Sequence, residues 1–223
     1  MKKSFSCIAF IALFFTSFMA SAQSKNTLSF GVTVGPSYST IQKEGSSYGS
    51  RLAIGGGLLL NYSATSSFGL GAELNYAPKG GKFDGNTGFT SNVIRRQNLD
   101  YVEIPIYCNF FFGEEGFRPK FMLGGSIGQL LLARDITEDT SRDTKTAVDI
   151  KKDYNSMDFC ILGGAGMHYR LNNKFWLVGD IRASYTLVPI QSPKSVAGQL
   201  DRDTRNLVIA GRIALTLPLK TAE

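Results

Sequence analysis

Asp100-Tyr101-Val102-Glu103-Ile104-Pro105-Ile106-Tyr107-Cys108-Asn109-Phe110 decides the fold. Val102, Ile104, Ile106, Cys108 and Phe110 occupy one parity, and Glu103, Pro105, Tyr107 and Asn109 the other. Successive side chains of a β-strand point to opposite faces, so this stretch is a strand with one apolar and one polar face. A carboxylate in the middle of the polar face needs water or a charged partner, because an unpaired charge is costly to bury.

The same alternation recurs on both sides of that stretch. Upstream, Leu28, Phe30, Val32 and Val34 alternate with small or polar residues, Leu52, Ile54, Leu58 and Leu60 face away from Arg51, Gly55, Gly57 and Asn61, and Phe68, Leu70, Ala72, Leu74 and Tyr76 face away from Gly69, Gly71, Glu73 and Asn75. Downstream, Phe121, Leu123 and Ile127 oppose Met122, Gly124, Ser126 and Gly128, while Phe159, Ile161, Met167 and Tyr169 oppose Asp158, Gly164, His168 and Arg170. The last two strands set Phe175, Leu177, Ile181 and Tyr185 against Asp180, Arg182 and Ser184, then Leu207, Ile209, Ile213, Leu215 and Leu217 against Asn206, Arg212 and Thr216. That makes eight strands.

The connections alternate in length. Short ones are expected at Ala64 to Ser67, Gly113 to Arg118 and Leu171 to Asn173; longer polar ones at about Gln42 to Ser50, Lys79 to Arg95, Arg134 to Asp153 and Ile190 to Thr204. An even number of long strands with short turns at one end and long loops at the other is the pattern of an outer-membrane barrel. A soluble sandwich or lipocalin-like barrel would instead keep its apolar parity inside.

Two features select the membrane. Arg51, Glu73, Glu103, Asp180, Arg182 and Arg212 all fall near strand middles on the polar parity, where they can pair across a polar lumen. Aromatic residues, among them Tyr62, Tyr76, Tyr101, Phe110, Phe112, Phe121, Tyr169, Phe175 and Tyr185, gather near strand ends, as girdles at the two bilayer interfaces do. The expected fold is all-β, an eight-stranded antiparallel transmembrane up-and-down β-barrel. Eight strands enclose an interior that side chains can fill, so a plugged lumen is expected and a general diffusion pore is disfavoured.

The N-terminus reads as a cleaved signal peptide over residues 1–22, leaving the barrel domain at residues 23–223. Lys2 and Lys3 precede an apolar run from Ile8 to Ala20, and Ala20-Ser21-Ala22 stands before Gln23 as a cleavage site. The run is about 13 residues where a spanning helix needs about 20. No later segment is a candidate membrane helix. Loss of the leader removes two lysines and takes the formal charge from +6 to +4. Without a basic cluster that balance excludes a dedicated nucleic-acid surface. Of the cysteines, Cys7 leaves with the leader, and Cys108 and Cys160 fall on opposite faces of separated strands, so two free thiols are expected.

At Asp100 to Tyr107 the chain resembles the PorT-type outer-membrane β-barrel family, also labelled "outer membrane protein beta-barrel domain" or "porin family", which carries a Tyr-Leu-Glu-Ile-Pro-Leu-like strand. Gly31 to Ser37, Leu74 to Pro78, Gly124 to Leu130 and Leu162 to Tyr169 add to the resemblance. It implies an eight-stranded outer-membrane barrel of a family generally without known enzymatic activity; the link to protein secretion belongs to a subset of members and does not carry over to this chain by resemblance alone.

Few residues carry candidate chemistry. His168 has no serine partner two positions away on its face, so it reads as a lumen or rim histidine rather than the base of a lipid hydrolase. One histidine and two separated cysteines give no zinc set. The segment Arg134 to Asp153 mixes Asp135, Glu138, Asp139, Asp143, Asp149 and Asp153 with basic residues and lacks calcium-loop spacing, so it reads as a solvated, mobile surface loop. Pro105 predicts a local bulge or bend. No cofactor is expected. The six lumen charges read as a structural ion-pair network, with gating as the alternative. The expected role is non-enzymatic: envelope support, or an accessory binding other envelope or secretion-system proteins, with outer-membrane lipids around the barrel. A small ion or solute channel is the second reading and a lipid-modifying enzyme the third.

Overall fold

The computed structural model describes residues 26–43, 46–47, 49–84, 93–113, 116–139, 141–172, 174–192 and 204–221. The expected leader over residues 1–22 lies outside them. In chain order the strands are β1 (Thr27–Lys43), β2 (Ser46–Ser47), β3 (Gly49–Ser63), β4 (Phe68–Asp84), β5 (Val93–Phe111), β6 (Phe117–Asp139), β7 (Thr144–Asp149), β8 (Met157–Arg170), β9 (Trp176–Thr186) and β10 (Arg205–Thr221). Leaving out the short β2 and β7, each strand pairs antiparallel with the next, and β10 returns to pair β1 from Thr27/Thr221 to Gln42/Arg205. The result is a closed, antiparallel, eight-stranded barrel. Closure gives the wall's N–H and C=O groups partners within the sheet, which a sheet in hydrocarbon requires.

Period-two alternation decides which face looks out. Leu52 is 73% exposed, Ile54 70% and Ile181 68%, whereas Glu73, Glu103, Asp180, Arg182 and Arg212 are all buried. The apolar side chains form a band around the outside, and the polar parity fills the inside. Tyr101 departs from the expected girdle: it is 1% exposed, on the inward parity it shares with Glu103. Two apolar clusters also lie inside. One joins Ile41, Leu99, Tyr101, Leu130, Tyr154 and Ile190; the other joins Leu59, Tyr107, Met122, Leu162, Val178 and Ala214.

The strands run beyond what a membrane needs. β6 has 23 residues, about 75 Å of chain at roughly 3.3 Å per residue, whereas a tilted spanning strand needs about 9–11 residues. The surplus corrects two expected loops. The described parts of Lys79 to Arg95 are strand, with Lys79 to Asp84 paired to Ile94 to Leu99, and residues 85–92 lie outside the described residues. Arg134 to Asp153 is largely exposed, as expected, but forms a hairpin rather than a loop: β6 turns into β7, pairing Arg134 to Asp139 with Asp149 to Thr144, and a 3₁₀ turn at Lys151–Asp153 follows. Arg118 likewise belongs to β6 rather than to the preceding turn. The two corrected loop segments lack the outward apolar parity because they stand above the hydrocarbon at the long-loop end, so alternation alone could not reveal them. The Ile190 to Thr204 connection falls partly outside the described residues.

Proline interrupts the ladders at three places in the wall. β4 and β5 pair at Ala72/Ile106 and again at Asn75/Glu103 in the same register, with Pro105 in the gap, so this proline removes ladder bonds without the expected bulge. β1 and β10 lapse between Val34/Ile213 and Ser37/Ala210, at Pro36. β3 and β4 lapse between Ser50/Gly81 and Gly56/Tyr76, at Pro78, and here the register does shift. Side chains replace part of the third ladder. Ser37 Oγ donates to the Pro78 carbonyl (3.3 Å), Ser39 Oγ to that of Gly80 (3.0 Å) and Arg51 Nη1 to that of Lys79 (2.6 Å).

Candidate functional site

The inward parities of β4, β5, β6, β8, β9 and β10 build a lumen of stacked charged layers. In the first, Arg182 on β9 is the hub. Its Nη1 donates to Glu73 Oε2 at 2.9 Å, and its Nε and Nη2 make a fork with Asp180 at 2.8 and 3.0 Å. Lys120 Nζ lies 3.5 Å from Asp180, Asn75 Nδ2 donates to Glu73 at 2.6 Å, and the Tyr107 hydroxyl donates to the same carboxylate. The two-pronged guanidinium contact fixes orientation as well as charge.

The second layer is centred on Lys79 of β4. Its ammonium lies 2.8 Å from Glu103 and 3.0 Å from Asp158, and donates to Cys160 Sγ at 3.4 Å. The ring of Tyr101 stands 5.2 Å away on another side. Above this layer the cluster of Ile41, Leu99, Tyr101, Leu130, Tyr154 and Ile190 closes the mouth, and the Tyr154 hydroxyl donates to Gln97 at 2.6 Å.

Toward the short turns, Asn109 donates to Asn61 at 3.0 Å, Arg118 lies over the Phe111 ring at 3.9 Å, and His168 meets that ring edge-on at 5.0 Å. Among the described residues the Arg118 guanidinium has one hydrogen-bond acceptor, the Ser66 carbonyl at 2.9 Å.

Of the six charges expected to meet in the lumen, Glu73, Asp180 and Arg182 share one cluster. Glu103 belongs to the Lys79 layer. Arg212 lies inside but makes no ion pair among the described residues; its Nη1 donates to the Gly35 carbonyl at 2.9 Å. Arg51 stands apart in the β3–β4 break, 3.0 Å from Asp100.

Lys79, Lys120, Asp158 and Tyr107 complete the network beyond the six expected charges. Lys79 lies in Pro78-Lys79-Gly80-Gly81, which reads as turn chemistry; its parity with Glu73, Asn75 and Ala77 is the signal that it faces inward. Lys120 and Asp158 carry the same signal on β6 and β8. Cys108 and Cys160 are free thiols, the first on the outer face and the second in the lumen. No group of three metal-ligating side chains is found among the described residues.

A closed barrel with an apolar exterior and an ion-paired interior defines a class of outer-membrane protein. The family model for the outer membrane protein beta-barrel domain matches residues 20–191, and the chain belongs to that family. It is an outer-membrane protein. Among solved structures the chain is similar to a major outer membrane protein of Thermus thermophilus (13% identity, TM-score 0.49, covering 86% of this chain and 99% of that one). It is also similar to OprG of Pseudomonas aeruginosa (12%, 0.47, 89% and 98%) and to Ail, the attachment invasion locus protein of Yersinia pestis (11%, 0.42, 86% and 99%). No curated protein sequence matches the chain.

Proposed function

We propose that this barrel is a non-enzymatic accessory of the outer membrane that binds another envelope protein through the sheet carried above its mouth. The observation that supports this is the contrast between a filled lumen and a prolonged wall. Two ion-pair layers and an apolar cluster occupy the interior, whereas β4, β5, β6 and β7 continue together as a sheet beyond the membrane. Its outward face displays Arg134, Glu138, Lys145 and Asp149, a mixed-charge surface suited to a polar protein partner. Together with that surface, the resemblance of Asp100 to Tyr107 to PorT-type barrels narrows the partner class to components of envelope or secretion assemblies.

The test is cross-linking in purified outer membranes, comparing the native chain with a variant in which residues 138–145 are replaced by a two-residue turn. The expected result is one stoichiometric partner that is lost in the variant while the barrel still assembles. Steady single-channel conductance altered by Glu73→Gln, with no tip-dependent partner, would replace this reading with a small channel. Lipid turnover lost in His168→Ala would replace it with an enzyme.

A further inference from the structure

Between the two charged layers lies an internal cavity of about 40 Å³. All three proline-marked lapses in the wall reach it, through Ser37 beside Pro36, through Pro78 and through Pro105. Arg182 and Arg212 also line it. The two guanidiniums differ in one respect. Arg182 is held by Glu73 and Asp180, whereas Arg212, only 8% exposed, has no carboxylate within ion-pair distance among the described residues, and its Nε has no hydrogen-bond partner.

We infer that this cavity is a binding site for a small monovalent anion of chloride size, held by Arg212. A guanidinium buried without a counter-charge is costly, and a water molecule would satisfy its N–H groups but not its charge. An anion supplies both, and charge-assisted contacts of this kind are the stronger ones. The volume suits such an ion, being a few times the 10–15 Å³ or so that admits a single water. Ser184 also lines the cavity, whereas the Ser37 hydroxyl there is already donated to the Pro78 carbonyl at 3.3 Å. Glu103 lines it as well, but its carboxylate is engaged by Lys79 at 2.8 Å. The opposite face of Arg212 is closed by the wall: a Cβ built on Gly55 would stand 3.1 Å from Arg212 Nη2 and 3.1 Å from Pro78 Cδ. Glycine there leaves the guanidinium its place, and the ion has room on the lumen side only. The site is independent of any partner at the barrel mouth.

Bromide tests this directly, since it replaces chloride and scatters anomalously. The full-length barrel, purified in gluconate salts and crystallised with sodium bromide, is expected to show one anomalous peak within hydrogen-bond distance of Arg212 Nε or Nη2. Ala210→Val, which adds two methyl groups to the cavity wall and keeps every charge, is expected to abolish that peak. In solution, raising chloride at fixed ionic strength is expected to raise the thermal unfolding midpoint of the native barrel and to leave that of Ala210→Val unchanged. Arg212→Gln should lose both responses if it folds, but Ala210→Val suffices without it. Bromide found only at surface positions, or an equal chloride response in the native and Ala210→Val barrels, would overturn the assignment.

Discussion

Two chains of ion pairs occupy different heights of this molecule. In the lumen Lys79 holds Glu103 at 2.8 Å and Asp158 at 3.0 Å, with all three side chains at most 8% exposed. On the sheet above the mouth, Glu138 is held by Lys145 at 2.8 Å and by Arg96 at 3.2 Å, with those cations 63% and 41% exposed. The distances are alike, and the surroundings are not. Proximity alone therefore says little about energetic weight; what decides it is the solvent available to each charge once its partner is gone.

The largest expected effect follows from removing one cation at each height. Lys79→Met leaves Glu103 and Asp158 facing each other without a counter-ion, and the expected loss is about 3–5 kcal/mol in urea-induced unfolding from lipid vesicles. Arg96→Met on the sheet is expected to cost below about 1 kcal/mol. Equal losses would show that the upper sheet excludes water as the lumen does. A combined Lys79→Met, Glu103→Gln and Asp158→Asn barrel should recover much of the first loss, because it removes the stranded charges along with the pair.

The second contrast lies within the upper sheet. Leu99 on its inward face is 0% exposed in the cluster with Tyr101 and Tyr154, while Val148 on β7 is 53% exposed. Leu99→Ala is expected to cost about 2–5 kcal/mol and to loosen the cap over the Lys79 layer. Val148→Ala should stay within about 0.5 kcal/mol. Measured by the same unfolding assay, a small Leu99→Ala effect would mean that the cap is not packed as a core.

The heights also differ in how readily the sequence reveals them. Inside the membrane, alternation carries the information, because lipid on one side and lumen on the other impose a strict period of two. Glu73, Asp180 and Arg182 can therefore be placed inward from their parity, and they do share a cluster. Register across the ring is a different matter. Glu103 meets Lys79 rather than Arg182 because of how β4 and β5 pair, which no single strand encodes. Lys79 itself is hidden by the Pro-Lys-Gly-Gly context. Above the membrane both faces meet water or polar neighbours, so the residues from Val93 to Asn98 and from Arg134 to Asp149 lose the apolar parity and look like loops. Arg51 keeps its polar parity beside the outward Leu52 and Ile54, but in the β3–β4 break it meets Asp100 rather than the lumen charges, a pairing that parity alone does not specify.

The break at Pro78 gives a smaller effect. Ser39 is 0% exposed and donates to the Gly80 carbonyl at 3.0 Å, in place of ladder bonds that the shifted register forgoes. Ser39→Ala is expected to cost about 1 kcal/mol. Amide exchange should rise at Arg51 to Gly55 and Lys79 to Gly81, and stay unchanged between β8 and β9. Uniform exchange across the barrel would show that the side-chain bonds do not hold this seam.

The smallest effect belongs to the hairpin tip, and it concerns pH. The hydrogen bond from Lys145, with Arg96 nearby, holds the Glu138 carboxyl below its ordinary value. Because the value is lowered in the folded chain, the ion pair's contribution is present above the unfolded carboxyl's pKa, near 4.3, and disappears as pH falls through the folded one. Acidification below about pH 4 should thus loosen the β6–β7 tip, and alkaline pH should not. A carbon NMR titration of Glu138 should give a midpoint below the ordinary glutamate value in the native chain, moving upward in Lys145→Gln and in high salt, which screens exposed pairs. A native midpoint at the ordinary value, indifferent to salt, would mean that the pair does not persist in solution. Screening is the useful part of this contrast: charges that salt can separate can also be redirected to a partner at little cost, whereas those around Lys79 are committed to one another.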